Sequence, residues 1–251
     1  MTSRRTRLGF TIVEASLANV FISFILIAIV VITGYIMTIY QKGLVIKAVN
    51  SASQDLTAEF QKYIKATAPD GVSSVYRKME NIQINGATQS VPVNGAFCTG
   101  KVSYVWNSGY VLSSDTYSGY QATVDGYGGG TFTLLRVNDP TQVACRGSHG
   151  TSGRNYQVDA AAGSNAVELL NHYEYNLAIY DLDTSTPVFH DITSQDFING
   201  SFILGTLKGD IDITANGEYC TAAKDSSLSS DATYCSVGKF NFAATATGER
   251  S

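Results

Sequence analysis

The sequence predicts an α+β chain, with a long N-terminal helix packed on an antiparallel β-sheet head. Three observations lead there. No Asp, Glu, Lys or Arg occurs from Ala15 to Tyr40. From Val45 to Tyr63 the apolar residues recur at helical spacing. From Val72 onward the chain breaks into short β-like segments divided by Gly, Asn, Asp and Ser.

The apolar run of about 26 residues exceeds the 7–15 of a secretory signal core, and no small-residue cleavage site ends it. It is long enough to cross a bilayer, which takes about 20 residues. Ahead of it lies a short polar leader carrying Arg4, Arg5 and Arg7, which favours retention on the cytoplasmic side and places everything after Tyr40 outside. Val45, Val49, Ala52, Leu56, Phe60 and Tyr63 then form the dry stripe of an amphipathic helix. Lys47, Asn50, Gln54, Glu59 (or Gln61) and Lys65 are assigned to the opposite face, and Pro69-Asp70-Gly71 ends the element. From Phe10 to about Ala66 this helix would be roughly 85 Å long. The stripe is too short and irregular for a coiled coil, so burial against a sheet of the same subunit is expected.

Strand candidates are Ile82–Asn85, Lys101–Trp106, Gly109–Leu112, Thr131–Val137, Tyr173–Leu182, Ser201–Leu207, Asp210–Thr214 and Lys239–Thr245. Tyr173, Tyr175, Leu177 and Ile179 alternate with Glu174, Asn176 and Ala178, the pattern of a half-buried strand. Leu207-Lys208-Gly209-Asp210 resembles a hairpin connection. These segments are expected to form one head, residues 69–251, of about 180 residues. Gly126–Gly130 and Ser148–Gly153 read as loops.

The chain has 17 basic and 21 acidic side chains, net −4. Loss of a leader with three arginines takes the remainder to −7. An acidic surface without a clustered basic face gives no case for specific nucleic-acid binding.

One carboxylate, Glu14, stands at the start of the apolar run. A charge at the centre of a membrane segment costs about 2.5–3.5 kcal/mol even on lenient scales, so it calls for a partner. The run Gly9-Phe10-Thr11-Ile12-Val13-Glu14, between a basic leader and the apolar stretch, resembles the processing site of type IV prepilins and pseudopilins. Residues 1–40 carry the likeness, with Leu8 in place of the basic residue before the glycine, and Ser23 and Val31 near the usual helix-loosening positions. Gly34 offers a weaker break.

The resemblance implies a leader, 1–9, removed by a prepilin peptidase between Gly9 and Phe10, and N-methylation of Phe10. It implies a membrane and filament-core helix, 10–40, continued by an amphipathic helix, 41–68, into a pilin-like head. Glu14 would pair with a neighbour's terminal amine as copies assemble at a platform in the cytoplasmic membrane. The expected product is a homo-oligomeric filament, or one shared with other pilins, at the cell surface. A minor pilin or pseudopilin of a secretion or competence apparatus is the alternative. A single-pass anchored binding domain or enzyme is the other.

Cys98, Cys145, Cys220 and Cys235 form no C-x-x-C pair, so zinc and redox motifs find no support. In an oxidising compartment four cysteines allow three pairings. The sequential one, Cys98–Cys145 with Cys220–Cys235, is favoured, the second stapling a polar loop near the C-terminus. No enzyme activity, cofactor or metal is expected: His149, His172 and His190 lie apart, and neither H-E-x-x-H nor G-x-S-x-G occurs. Asp181-x-Asp183 and Asp210-x-Asp212 offer oxygen ligands for calcium but lack the EF-hand spacing. Tyr104, Trp106, Tyr117, Tyr120 and Tyr127 read either as an adhesive patch or, more simply, as core and cross-strand aromatics.

Overall fold

The computed structural model describes residues 11–68, 75–84, 87–128, 130–146, 155–156, 165–173, 175–185, 196–207, 211–214, 217–220 and 234–248. One helix, α1 (Ile12–Lys65), runs 54 residues without interruption, through Gly34, and so spans about 80 Å. Its N-terminal half is long and apolar enough to cross a membrane. The strands are β1 (Tyr76–Ile84), β2 (Ala87–Thr99), β3 (Val102–Asn107), β4 (Thr123–Val124), β5 (Leu134–Asn138) and β6 (Asn155–Tyr156). They continue with β7 (Val167–Glu168), β8 (Leu177–Ser185), β9 (Asp196–Thr206), β10 (Ile211–Thr214), β11 (Gly217–Cys220) and β12 (Val237–Ala246).

Two antiparallel sheets receive the helix. The first has the order β1-β2-β3-β5-β7 and the second β12-β9-β8. Two smaller pairs accompany them, antiparallel β10-β11 and parallel β4-β6. Val49, Ala52, Leu56, Phe60 and Ile64 meet Phe97, Tyr104, Trp106 and Leu134 of the first sheet and Ile179, Phe202 and Phe242 of the second. The far face of the first sheet is closed by Ala122, Val124, Phe132 and Ala144. Every residue of β3 is therefore buried.

Close approaches in this core need glycine. Gly95 lies opposite Trp106, and a Cβ there would stand 2.4 Å from the Tyr76 carbonyl oxygen and 2.8 Å from the indole. The β2–β3 turn uses Gly100 at φ +68, the backbone that a two-residue hairpin loop beginning with glycine requires.

Four expectations need correction. Gly109–Leu112 is a helical turn, α2, not a strand: Ser108 caps it, and it buries Tyr110 and Val111. Four residues are too few for either period to decide. The strand expected from Tyr173 begins at Leu177, and Leu177, Ala178, Ile179 and Tyr180 are all buried. It is covered on both faces, because Leu177 and Ile179 face α1 while Ala178 and Tyr180 face β2 and α2. The suggested hairpin at Leu207–Asp210 does not join neighbours. Both edges of β9 are taken by β8 and β12, so β10 pairs with β11 instead, and residues 208–210 lie outside the described residues. Glu59, finally, is not on the solvent face. It forms an ion pair with Arg136 of β5, against the first sheet.

Both disulfides follow the sequential pairing: Cys98–Cys145 over a separation of 47 residues and Cys220–Cys235 over 15. The chain-entropy model gives ~4 and ~3 kcal/mol for loops of these lengths.

Candidate assembly site

Thr11 opens α1. Its extended backbone leaves the first amides without helical partners, and its hydroxyl accepts a hydrogen bond from the Glu14 amide at 3.3 Å. Glu14 answers by accepting from the Thr11 amide at 3.0 Å and from the Thr11 hydroxyl at 3.1 Å. This reciprocal capping box satisfies two of the amides at the start of the helix, in the first turn where an acidic side chain complements the helix dipole. Glu14, expected from the sequence at an assembly contact, thus serves within the subunit as the third-position partner of the Thr11 cap. The signal, Thr followed three residues later by Glu before an apolar run, was present. Gly9 and Phe10 lie outside the described residues.

Among the described residues nothing covers the following eight turns. Phe21 and Phe24 are each 68 % exposed and Val30 71 %, whereas Val45 is 0 % exposed. The border between a naked and a covered helix therefore falls between Tyr40 and Val45. In the naked part Ser16, Ser23 and Thr33 donate their hydroxyls to the carbonyls of Ile12, Asn19 and Ile29 at 2.7, 2.8 and 2.8 Å, removing three donors that lipid would leave unmet.

Below the border the head grips the helix at many points. The Phe60 ring stands edge-on to Tyr104 at 4.8 Å and to Phe97 and Phe202 at 5.7 Å. Tyr173 donates its hydroxyl to Asp55 at 2.6 Å, and the Gln61 amide donates to the Ala243 carbonyl at 3.1 Å. Tyr63 is half-buried rather than buried, with the Arg136 guanidinium 5.5 Å from its ring centre, and Ile64 takes the last dry place in the stripe. The helix C-terminus is closed from the far end of the chain. The Thr247 and Gly248 amides donate to the Lys65 and Thr67 carbonyls at 3.3 and 2.9 Å.

Asp139 holds a disulfide-bearing turn, α3 (Val143–Arg146), against β3. It is 1 % exposed and accepts from the Val143 and Ala144 amides, each at 3.0 Å, and from the Ser103 hydroxyl at 2.8 Å. Ser103 also approaches Cys98 Sγ at 3.1 Å. The signal for this turn in the sequence is Asp139-Pro140, a pair that favours turn initiation.

The other candidates are distributed as follows. Asp181 and Asp183 meet Arg77 of β1 at 3.1 and 3.4 Å, so their charge is taken up by a guanidinium. Burial pushes the Asp181 carboxyl up from its ordinary value, and Arg77 works against that shift. The side chains of Asp210 and Asp212 lie outside what is described, as do His149 and His190. His172 is exposed and rests on the Tyr173 ring at 4.1 Å. Among the described residues no group of three or more His, Cys, Asp or Glu is placed to hold a metal ion. Tyr104 and Trp106 are core, and Tyr117, Tyr120 and Tyr127 pack half-buried against it rather than presenting open rings. On the outer face of the second sheet, a hollow of about 260 Å³ is lined by Asp183, Asn199, Gly200, Ser201, Lys239 and Asn241.

Comparison with family models, with curated proteins and with solved structures finds no match for this chain.

Proposed function

We propose that the chain is a subunit of a type IV pilus or related filament, assembled through the N-terminal half of α1. One observation carries the reading: a single uninterrupted helix is covered by its own head up to Val45 and bare from there to Glu14 among the described residues. The bare part must be dry somewhere. A bilayer keeps it dry in the precursor and the helices of other copies keep it dry in a filament, so transfer between them exposes little apolar surface to water. Glu14 marks the direction of that transfer, since its carboxylate gains a cationic partner in the neighbour's terminal amine. Leader removal at Gly9–Phe10 by a prepilin peptidase creates that amine.

The head then rides outside, stapled by its two disulfides in an oxidising compartment. A head of about 180 residues also suits a minor or specialised subunit, which stoichiometry in fibres would reveal. Glu14→Ala is expected to insert and lose its leader normally, but to be depleted in sheared fibres as read by mass spectrometry. Wild-type incorporation of the variant would sink the proposal, as would a fibre-free membrane pool whose N-terminus is never cut.

A further inference from the structure

We infer that α1 pairs with the α1 of a second copy in the membrane, through a polar seam centred on Asn19. The seam is distinct from the Glu14 contact. It goes beyond the filament reading, needing only that the apolar half of α1 lies in a bilayer.

Between Ala15 and Tyr40 the Ser, Thr and Asn residues are Ser16, Asn19, Ser23, Thr33 and Thr38. Four of the five fall on the series Ile12, Ser16, Asn19, Ser23, Leu26, Val30, Thr33, Met37, which steps by four and three throughout. That 3.5-residue period is the signature of a left-handed helix pair, so the polar groups are gathered on the one line where two copies would touch. On the straight helix Ser16, Asn19 and Ser23 already share a sector of about 60°, and Glu14 lies on the opposite side.

The hydrogen-bond capacities along this line fit a second copy. Ser16, Ser23 and Thr33 have already given their protons to their own helix and retain acceptor lone pairs. Asn19 is exposed, and its side-chain amide makes no hydrogen bond among the described residues. Lipid offers it nothing. In a parallel pair its two N–H groups meet the hydroxyl or amide oxygens of the partner's seam, the arrangement by which one buried Asn fixes register. Small serine side chains on either side let the backbones approach. The contact leaves Glu14 facing outward on each helix, so a paired precursor keeps its assembly carboxylate available.

The test uses the full chain, leader uncut, in phospholipid vesicles without assembly proteins, so no filament contact forms. All native cysteines are in disulfides, so one introduced thiol is unique. With copper phenanthroline as oxidant, Ser16→Cys and Ser23→Cys are expected to give disulfide-linked dimers, and Ala18→Cys on the opposite side is not. Fluorescence energy transfer between labelled copies is expected to show dissociation about three- to thirty-fold easier for Asn19→Leu, with Asn19→Gln closer to the native chain. Equal cross-linking on both sides, cross-linking at Ala18→Cys alone, or unchanged association of Asn19→Leu would each overturn the seam. None of these results bears on Glu14→Ala in fibres.

Discussion

The two halves of α1 use the same apolar vocabulary to opposite ends. In the first half hydrophobic residues occur all round the helix, and Phe24 is 68 % exposed. In the second half they are confined to a stripe, and Phe60 is 0 % exposed beneath rings from three strands. A stripe can be covered from one side, here by the two sheets of the head, so the subunit completes it alone. An apolar girdle cannot be covered from one side. Among the described residues it is left bare.

The largest expected effect tests whether the halves are energetically separate. Phe60→Ala is expected to destabilise the head by about 3–5 kcal/mol in thermal unfolding followed by near-ultraviolet circular dichroism in detergent micelles. Phe24→Ala should leave the same transition within about 0.5 kcal/mol. A shared loss would mean that the bare half is part of the folding unit.

Glycines sharpen the contrast. Gly95→Ala drives a methyl group into the Tyr76 carbonyl and the Trp106 ring, and is expected to cost about 1–3 kcal/mol. Gly34→Ala meets nothing within 4 Å and should instead favour the helix by about 0.5–1 kcal/mol, visible as unchanged or increased helicity. A neutral Gly95→Ala would show that β2 and β3 yield at this point.

The smallest effect concerns Tyr104, whose buried hydroxyl has no hydrogen-bond partner among the described residues. Burial, with the nearby Glu59 charge adding to it, raises the phenol above its ordinary value of 10.0. Above pH 10 the unfolded chain therefore loses a proton that the native head retains, so native stability falls as pH rises. Tyr104→Phe is expected to raise stability by about 1 kcal/mol at pH 7 and to make the alkaline decline shallower. A lower midpoint for this variant would mean that the hydroxyl has an unseen partner.

The same division governs what could be read in advance. The stripe Val45–Phe60 was legible because one period and one covering surface suffice to define it. The hairpin β1–β2 was legible too, yet missed: Ile84 pairs with Ala87 across Asn85-Gly86, a dipeptide that favours tight hairpins. By contrast β8 looked half-buried from its alternation, and nothing local to it announces that α2 and β2 lie on its second face. Nor does the sequence near Lys65 reveal that Thr247 and Gly248 close that helix end, 182 residues away in the case of Thr247.

By itself, then, the sequence determined the apolar rod, its lone carboxylate, the period of the stripe and the supply of cysteines, since each depends on neighbours a few residues apart. Only the tertiary structure decided which strands meet the stripe, that Glu59 turns inward to Arg136, that Gly109–Leu112 coils rather than extends, and where the cover stops at Val45. Those outcomes depend on which surfaces compete for the same face, and that competition is settled by packing across the whole head.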